Sequence, residues 1–90
     1  MSSDTKNGDD SWYLSAQRQY EDWSKEMVGI AVSGEGLRDM ISFFVGPPPK
    51  SNMWPKFFDF LIDNGFMIST GQFMPTKSGK KSTKVYEVLK

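Results

Sequence analysis

The chain has 90 residues, 11 basic and 11 acidic side chains, and neither histidine nor cysteine. This length allows one small domain. Without cysteine there are no disulfides or thiolate zinc sites, and without histidine the commonest general base is missing. No apolar run reaches the roughly 18 residues of a membrane span. We expect a cytoplasmic, non-enzymatic protein with no metal, no cofactor and no membrane contact.

The balanced total hides a difference between the two halves of the chain. Residues 1–49 carry four basic and eight acidic side chains, a net charge of −4. Residues 50–90 carry seven lysines against three acidic side chains, a net charge of +4. Such a dipolar layout suits a protein that presents one face to nucleic acid and another to a basic protein surface. The alternative is an accident of small numbers.

The first predicted element is an amphipathic helix from about residue 10 to about Val32, after a disordered tail at residues 1–9. Residues 10–90 are predicted to form a single domain. The helix has one apolar stripe with spacings of three and four, formed by Tyr13, Ala16, Tyr20, Trp23, Met27 and Ile30. Glu21 and Asp22 fall off this stripe and should be solvated. We favour a packed core helix over a coiled coil, which the same spacing also fits.

A glycine-rich break at residues 33–36 precedes a second predicted helix at 36–45, and three prolines at 47–49 form a stiff connector. A third helix is predicted at 52–64, ended by Gly65. Its apolar stripe consists of Trp54, Phe57, Phe58, Leu61 and Ile62.

The last two elements are strands, at residues 66–74 and 83–89, with a bulge or bend at Gly71. The predicted fold is therefore α+β, with three helices followed by a C-terminal two-stranded antiparallel hairpin.

The turn of this hairpin is rich in lysine. It contains Lys77, Lys80 and Lys81, and Lys84 lies just inside the returning strand. Each lysine that neutralises a phosphate releases a counterion, and lysine without arginine suits backbone contact more than base recognition. The alternative is a solvated hairpin tip whose lysines maintain solubility and protect strand edges.

The polar face of the third helix is a poor surface for reading bases. It carries Lys56 against Asp59 and Asp63, and the carboxylates would repel phosphates. The two aspartates lie four residues apart, as magnesium ligands could, but no third ligand is near in sequence. Phe60 lies beside this face and is either covered by the first helix or part of a partner-binding patch. The candidate protein-binding residues are Glu21, Asp22, Asp59, Phe60 and Asp63, and Lys56 joins the candidate nucleic-acid contacts.

The second half of the chain resembles a winged-helix domain. The resemblance rests on the helix at 36–45, the helix at 52–64 ending in the run Leu61 to Phe66, and the basic hairpin turn around Gly79. It implies a wing that contacts the DNA backbone through Lys77, Lys80, Lys81 and Lys84. Two features depart from that family. A linker at 46–50 replaces the small helix that usually precedes the recognition helix, and the face that would read bases is acidic.

Two functions therefore remain open from the sequence. The first is a small regulatory or accessory protein that binds nucleic acid, with duplex DNA as the expected partner, through its lysine-rich wing. The second is a protein-binding inhibitor or adaptor, similar to phage effectors, that docks on a larger nucleic-acid enzyme through acidic helices and an aromatic patch. A homodimer is compatible with either.

Overall fold

Three helices pack against a three-stranded antiparallel sheet in the computed structural model, which describes the backbone of residues 4–90 and the side chains of residues 11–90. The elements in chain order are α1 (Asp4–Ser24), β1 (Ala31–Ser33), α2 (Gly34–Phe44), α3 (Met53–Asp63), β2 (Met67–Pro75) and β3 (Ser82–Val88). The strand order is β1-β3-β2, so the last strand of the chain is central. The predicted α+β class is confirmed. No helix in this part of the chain is both long and apolar enough to cross a bilayer.

The predicted two-stranded hairpin is wrong in one respect, because a third strand precedes α2. The helix predicted to reach Val32 ends at Ser24, and Ala31–Ser33 pairs with β3. Gly29 adopts a φ of +84°, and its N–H donates to the carbonyl of Val88 at 2.8 Å. Met27 and Ile30 continue the apolar spacing past the true helix end. The carbonyl of Ile30 nevertheless accepts a hydrogen bond from the N–H of Val88 in β3, which periodicity along the chain does not reveal.

The start of α1 also differs from the predicted boundary. Residues 1–3 of the predicted tail lie outside the described residues, and α1 begins at Asp4, within the range predicted as tail.

The glycine-rich run at residues 33–36 opens α2 and is not a linker. Ser33 caps the helix, since its hydroxyl accepts a hydrogen bond from the N–H of Gly36 at 2.9 Å. Gly34 is buried against the sheet, where a Cβ would lie 3.2 Å from Thr83 Oγ1 and 3.4 Å from the ring of Tyr86. A glycine at this position lets α2 start in direct contact with β3.

All three helices and the sheet contribute to one core. The buried apolar residues of this cluster are Trp12, Ala16, Tyr20, Leu37, Ile41, Met53, Phe57, Leu61, Met67, Tyr86 and Val88. Trp12, which the predicted stripe missed, packs edge-to-face on Trp54 and Phe57 at centroid distances of 5.2 and 5.5 Å. Its indole N–H donates to the carbonyl of Gly46 at 2.8 Å, which ties the proline-rich connector to α1.

Burial of Tyr20 makes the free energy of unfolding fall at alkaline pH. Its hydroxyl donates to the carbonyl of Phe66 at 2.8 Å, and burial raises its pKa to about 12. The folded state therefore holds the proton that the unfolded chain releases near pH 10, so stability falls as pH rises from 10 towards 12. In Tyr20→Phe the lost hydrogen bond costs about 1 kcal/mol near neutral pH. We expect this difference to vanish near about pH 11 and then to reverse, as measured by urea unfolding. A difference that stays constant between neutral pH and pH 11 would contradict this.

The bulge predicted at Gly71 is confirmed. The register of β2 against β3 shifts between Ser69 and Phe73, and Gly71 has a φ of +80°. Thr70 stabilises the bulge, because its hydroxyl donates to the carbonyl of Val85 at 2.9 Å and accepts from the N–H of Gln72 at 3.1 Å. Beyond the bulge the strand is exposed. The strand is already exposed from Ile68, before the bulge, so the bulge changes the register of the hairpin without marking the edge of the core.

Candidate functional site

The basic loop between β2 and β3, residues 76–81, is held against the first turns of α2. The N–H of Lys77 donates to Glu35 Oε1 at 3.0 Å, and Lys77 Nζ lies 2.7 Å from Asp39 Oδ2. Within the loop, the N–H of Thr76 donates to the carbonyl of Lys81 at 2.9 Å. These contacts give the loop a defined position relative to α2.

Lys77 differs from the other lysines of the hairpin. The hydrogen bond and the negative charge of Asp39 raise the pKa of Lys77 above its ordinary value, so its ammonium group is already matched by a carboxylate. Lys80, Lys81 and Lys84 are exposed and have no ion pair within the described part of the chain. Of the four lysines predicted to contact nucleic acid through the hairpin, three have their charge unmatched and one is held by α2.

Lys84 also borders a groove between α2, α3 and β3, which we call the α2–α3–β3 groove. Its volume is about 440 Å³, and the side chains that define its chemistry are Arg38, Trp54, Phe58, Asp59, Lys84 and Tyr86. Arg38 was not among the predicted contacts. Nothing in the pattern of the predicted helix at 36–45 distinguishes it, because only the packing of α2 on β3 brings it near Lys84.

Tyr86 lines this groove together with a carboxylate, Asp59, and a cation, Arg38. Burial raises its pKa above the ordinary value, the negative charge of Asp59 raises it further, and the positive charge of Arg38 lowers it. Asp59 and Arg38 are therefore both close enough to act electrostatically on the Tyr86 phenol. This separates Asp59 from Asp63, which is exposed at the C-terminal end of α3 and lines neither groove.

A second and more apolar groove lies between α1 and α3, with a volume of about 230 Å³. We call it the α1–α3 groove, and it is lined by Tyr13, Leu14, Gln17, Lys56, Phe57 and Phe60. Lys56 thus lines a groove with Phe60, and this groove shares no lining residue with the one that holds Lys84.

Phe60 is 36 % exposed, so α1 covers it only partly. Glu21 is linked to the α1–α3 groove through Gln17, whose amide donates to Glu21 Oε2 at 2.9 Å. Asp22 is exposed on α1 and lines neither groove. Of the predicted protein-binding residues, Phe60 thus lines the α1–α3 groove and Asp59 lines the α2–α3–β3 groove, while the other three line neither.

One aromatic surface was not identified from the sequence. Phe43 and Phe44, at the end of α2, are 81 % and 63 % exposed, and their rings pack on each other edge-to-face at 4.9 Å. Consecutive phenylalanines at a helix end point in different directions, which is a weak indication that one of them is exposed.

Residues 11–90 contain no cluster of three or more carboxylates that could hold a metal ion. Comparison with known proteins gives no match, whether to a family model, a curated protein or a solved structure.

Proposed function

We propose that the protein is a small, non-enzymatic regulatory or accessory protein that binds duplex DNA through the backbone phosphates. The observation that carries this proposal is the set of three exposed, unpaired lysines on the hairpin, Lys80, Lys81 and Lys84. Contacts from Glu35 and Asp39 to Lys77 hold the loop beside α2. A positioned cluster of unpaired cations attracts phosphates and loses less conformational entropy on binding than a free loop does.

We base the proposed wing on the resemblance of the second half of the chain to winged-helix domains. Two consecutive helices, α2 and α3, lead into a hairpin whose loop returns to α2, and β1 ties the segment before α2 to the central strand. In this proposal the hairpin is the wing. Arg38, which lines the α2–α3–β3 groove together with Lys84, adds a cation of α2 to those of the hairpin.

On a duplex, the side chains of α3 favour backbone contact over base recognition in the major groove. Asp59 and Asp63 are exposed on this helix, and carboxylates are repelled by the phosphates that line a major groove. Lys56 lines the α1–α3 groove. The proposed complex therefore has modest sequence specificity.

Binding to a short labelled duplex, followed by fluorescence anisotropy across a salt series, tests the proposal. Three lysine–phosphate contacts predict a slope of about −2.7 for log K against log salt, and a steeper one when Arg38 takes part. Absence of binding at low salt would contradict the proposal, as would binding that does not depend on salt.

Asp39→Asn tests how the charge of Lys77 contributes to the same complex. The variant releases Lys77 from its ion pair and removes a carboxylate close to the phosphates, so the salt slope should steepen by up to about 0.9. Asp22→Asn is the matched control, since it makes the same charge change on α1, where Asp22 is exposed. An equal effect of the two variants would mean that net charge, and not the position of Lys77, sets the affinity.

The α1–α3 groove favours a second candidate function, docking of a protein partner. Leu14 is 54 % exposed and, with Phe60, leaves apolar surface open beside Lys56. In this proposal an inhibitor-type or adaptor-type contact inserts an apolar side chain of a larger nucleic-acid enzyme into the groove, next to an acidic group that meets Lys56. Capture of one stoichiometric partner, lost in Phe60→Ala and kept in Phe43→Ala, would favour this function, and equal capture by both variants would count against it.

A further inference from the structure

The α2–α3–β3 groove is suited to more than the outside of a DNA backbone. Its volume of about 440 Å³ lies within the range of roughly 300–1,000 Å³ typical of small-ligand sites. A duplex backbone presents only phosphates and sugars, and it offers no unpaired base to the aromatic side chains of the groove. The groove therefore has room for a ligand other than the duplex backbone.

One wall of the groove is aromatic. Phe58 lies between two other rings, with centroid distances of 5.6 Å to Tyr86 and 6.1 Å to Trp54. Trp54 and Phe58 are only partly buried, so part of their ring surface remains open to the groove. Open aromatic surface beside cations is the combination on which single-stranded nucleic-acid-binding proteins stack unpaired bases.

The charged groups of the groove are unmatched. Arg38 and Lys84 are exposed cations, Asp59 is an exposed carboxylate, and within the described residues none of the three forms an ion pair. Arg38, Lys84 and Asp59 nevertheless all line the same groove, so both signs of charge are present in it. A ligand that complements this arrangement carries an anion for the cations and N–H donors for the carboxylate.

We propose that this groove binds an unpaired guanine nucleotide of a DNA strand. The base lies against Trp54 and Phe58, and its N1–H and N2–H donate to the Asp59 carboxylate, which only accepts hydrogen bonds. Guanine alone among the DNA bases places two donors side by side on its Watson–Crick edge. Arg38 and Lys84 contact the phosphate of the same strand. The inference rests on the proposed DNA binding and adds a preference for duplexes with a single-stranded guanine end.

Three duplexes with the same paired region test the preference. One is blunt, one has a short guanine overhang, and one has a thymine overhang of the same length and charge. We expect the guanine overhang to be bound about fivefold more tightly than the thymine overhang, or more. Asp59→Asn should remove this preference, because the amide replaces one acceptor with a donor. Asp63→Asn, with the same change on the same helix, should keep it. Both positions are exposed, and circular dichroism confirms folding of the two variants.

A direct titration distinguishes whether the guanine site or the proposed duplex binding is incorrect. Addition of dGMP should shift the NMR signals of the Trp54 indole and the Asp59 amide in the wild-type protein, and dTMP at the same concentration should shift them less, because thymine can stack but offers Asp59 only one donor. Equal affinity for both overhangs, with blunt duplex still bound, would overturn the guanine site and leave the backbone contact in place. Shifts with dGMP without duplex binding would support the site and overturn the proposed duplex function. The absence of both shifts and preference would overturn the site.

Discussion

Replacing Lys80, Lys81 and Lys84 together by alanine is expected to flatten the salt dependence of duplex binding by about 2.7 in slope and to weaken binding on the order of a hundredfold near 0.1 M salt. Each of these lysines is exposed and unpaired in the described part of the chain, so each is available to neutralise one phosphate. The three side chains contribute little to the core, and the variant should remain folded. Fluorescence anisotropy across a salt series measures both quantities.

The matched control removes three positive charges elsewhere. Arg18 lies on α1, Lys25 in the turn after it and Lys90 at the end of the chain, and all three are exposed. Their joint replacement by alanine gives the same net charge but should leave the slope within about 0.5 of the wild-type value, because these residues are not on the hairpin. Equal losses in the two triple variants would mean that DNA responds to total charge and not to the hairpin.

Phe57→Ala is expected to destabilise the fold by about 3–5 kcal/mol, a large part of the stability of a small domain. Phe57 is 1 % exposed and packs edge-to-face on Trp12 at 5.5 Å, which connects α3 to α1 at the centre of the core. Removing the ring leaves a cavity between two helices that the surrounding side chains fill only in part. Urea unfolding followed by circular dichroism gives the change in free energy.

Phe43→Ala is the control for this prediction. Phe43 is 81 % exposed, so its replacement should change the free energy of unfolding by less than about 0.5 kcal/mol. Similar losses for the two variants would contradict the position of the core between α1, α3 and the sheet. A loss below about 1 kcal/mol for Phe57→Ala would do the same.

Local patterns were sufficient to predict α3, the hairpin and its bulge. The stripe from Trp54 to Ile62 predicted the packed face of α3 in part, since Phe57 and Leu61 are buried. The other three stripe residues are only partly buried, and buried Met53 was missed. Gly71 predicted an irregularity in β2 because glycine inside a strand relaxes the backbone where the register changes. In these segments the local sequence patterns agree with the way the helix and strands pack in the structure.

The missing strand β1 shows where local patterns fail. Ile30 continued the apolar spacing of the predicted first helix, yet its carbonyl accepts a hydrogen bond from Val88, more than fifty residues later. Pairing with β3 outweighs helix periodicity over this short stretch. A contact between residues so far apart in the chain cannot be read from the spacing of neighbouring residues.

The candidate site was predicted only in part for the same reason. The lysine cluster was visible in the sequence, but the ion pair of Lys77 with Asp39 was not, because it joins residues 38 positions apart. Arg38 enters the basic surface only through the packing of α2 on β3. Lys56 and Asp59, three residues apart on α3, line different grooves.

NMR mapping of the surface that contacts a duplex tests the central claim most directly. During titration of the labelled protein with a short blunt duplex at low salt, we expect the largest amide shifts at residues 79–84 and at Arg38, and fading of these shifts as salt is added. The amides of Leu14 and Phe60, in the α1–α3 groove, should stay unchanged. Shifts concentrated at Leu14 and Phe60, or no shifts at all, would contradict DNA binding through the hairpin.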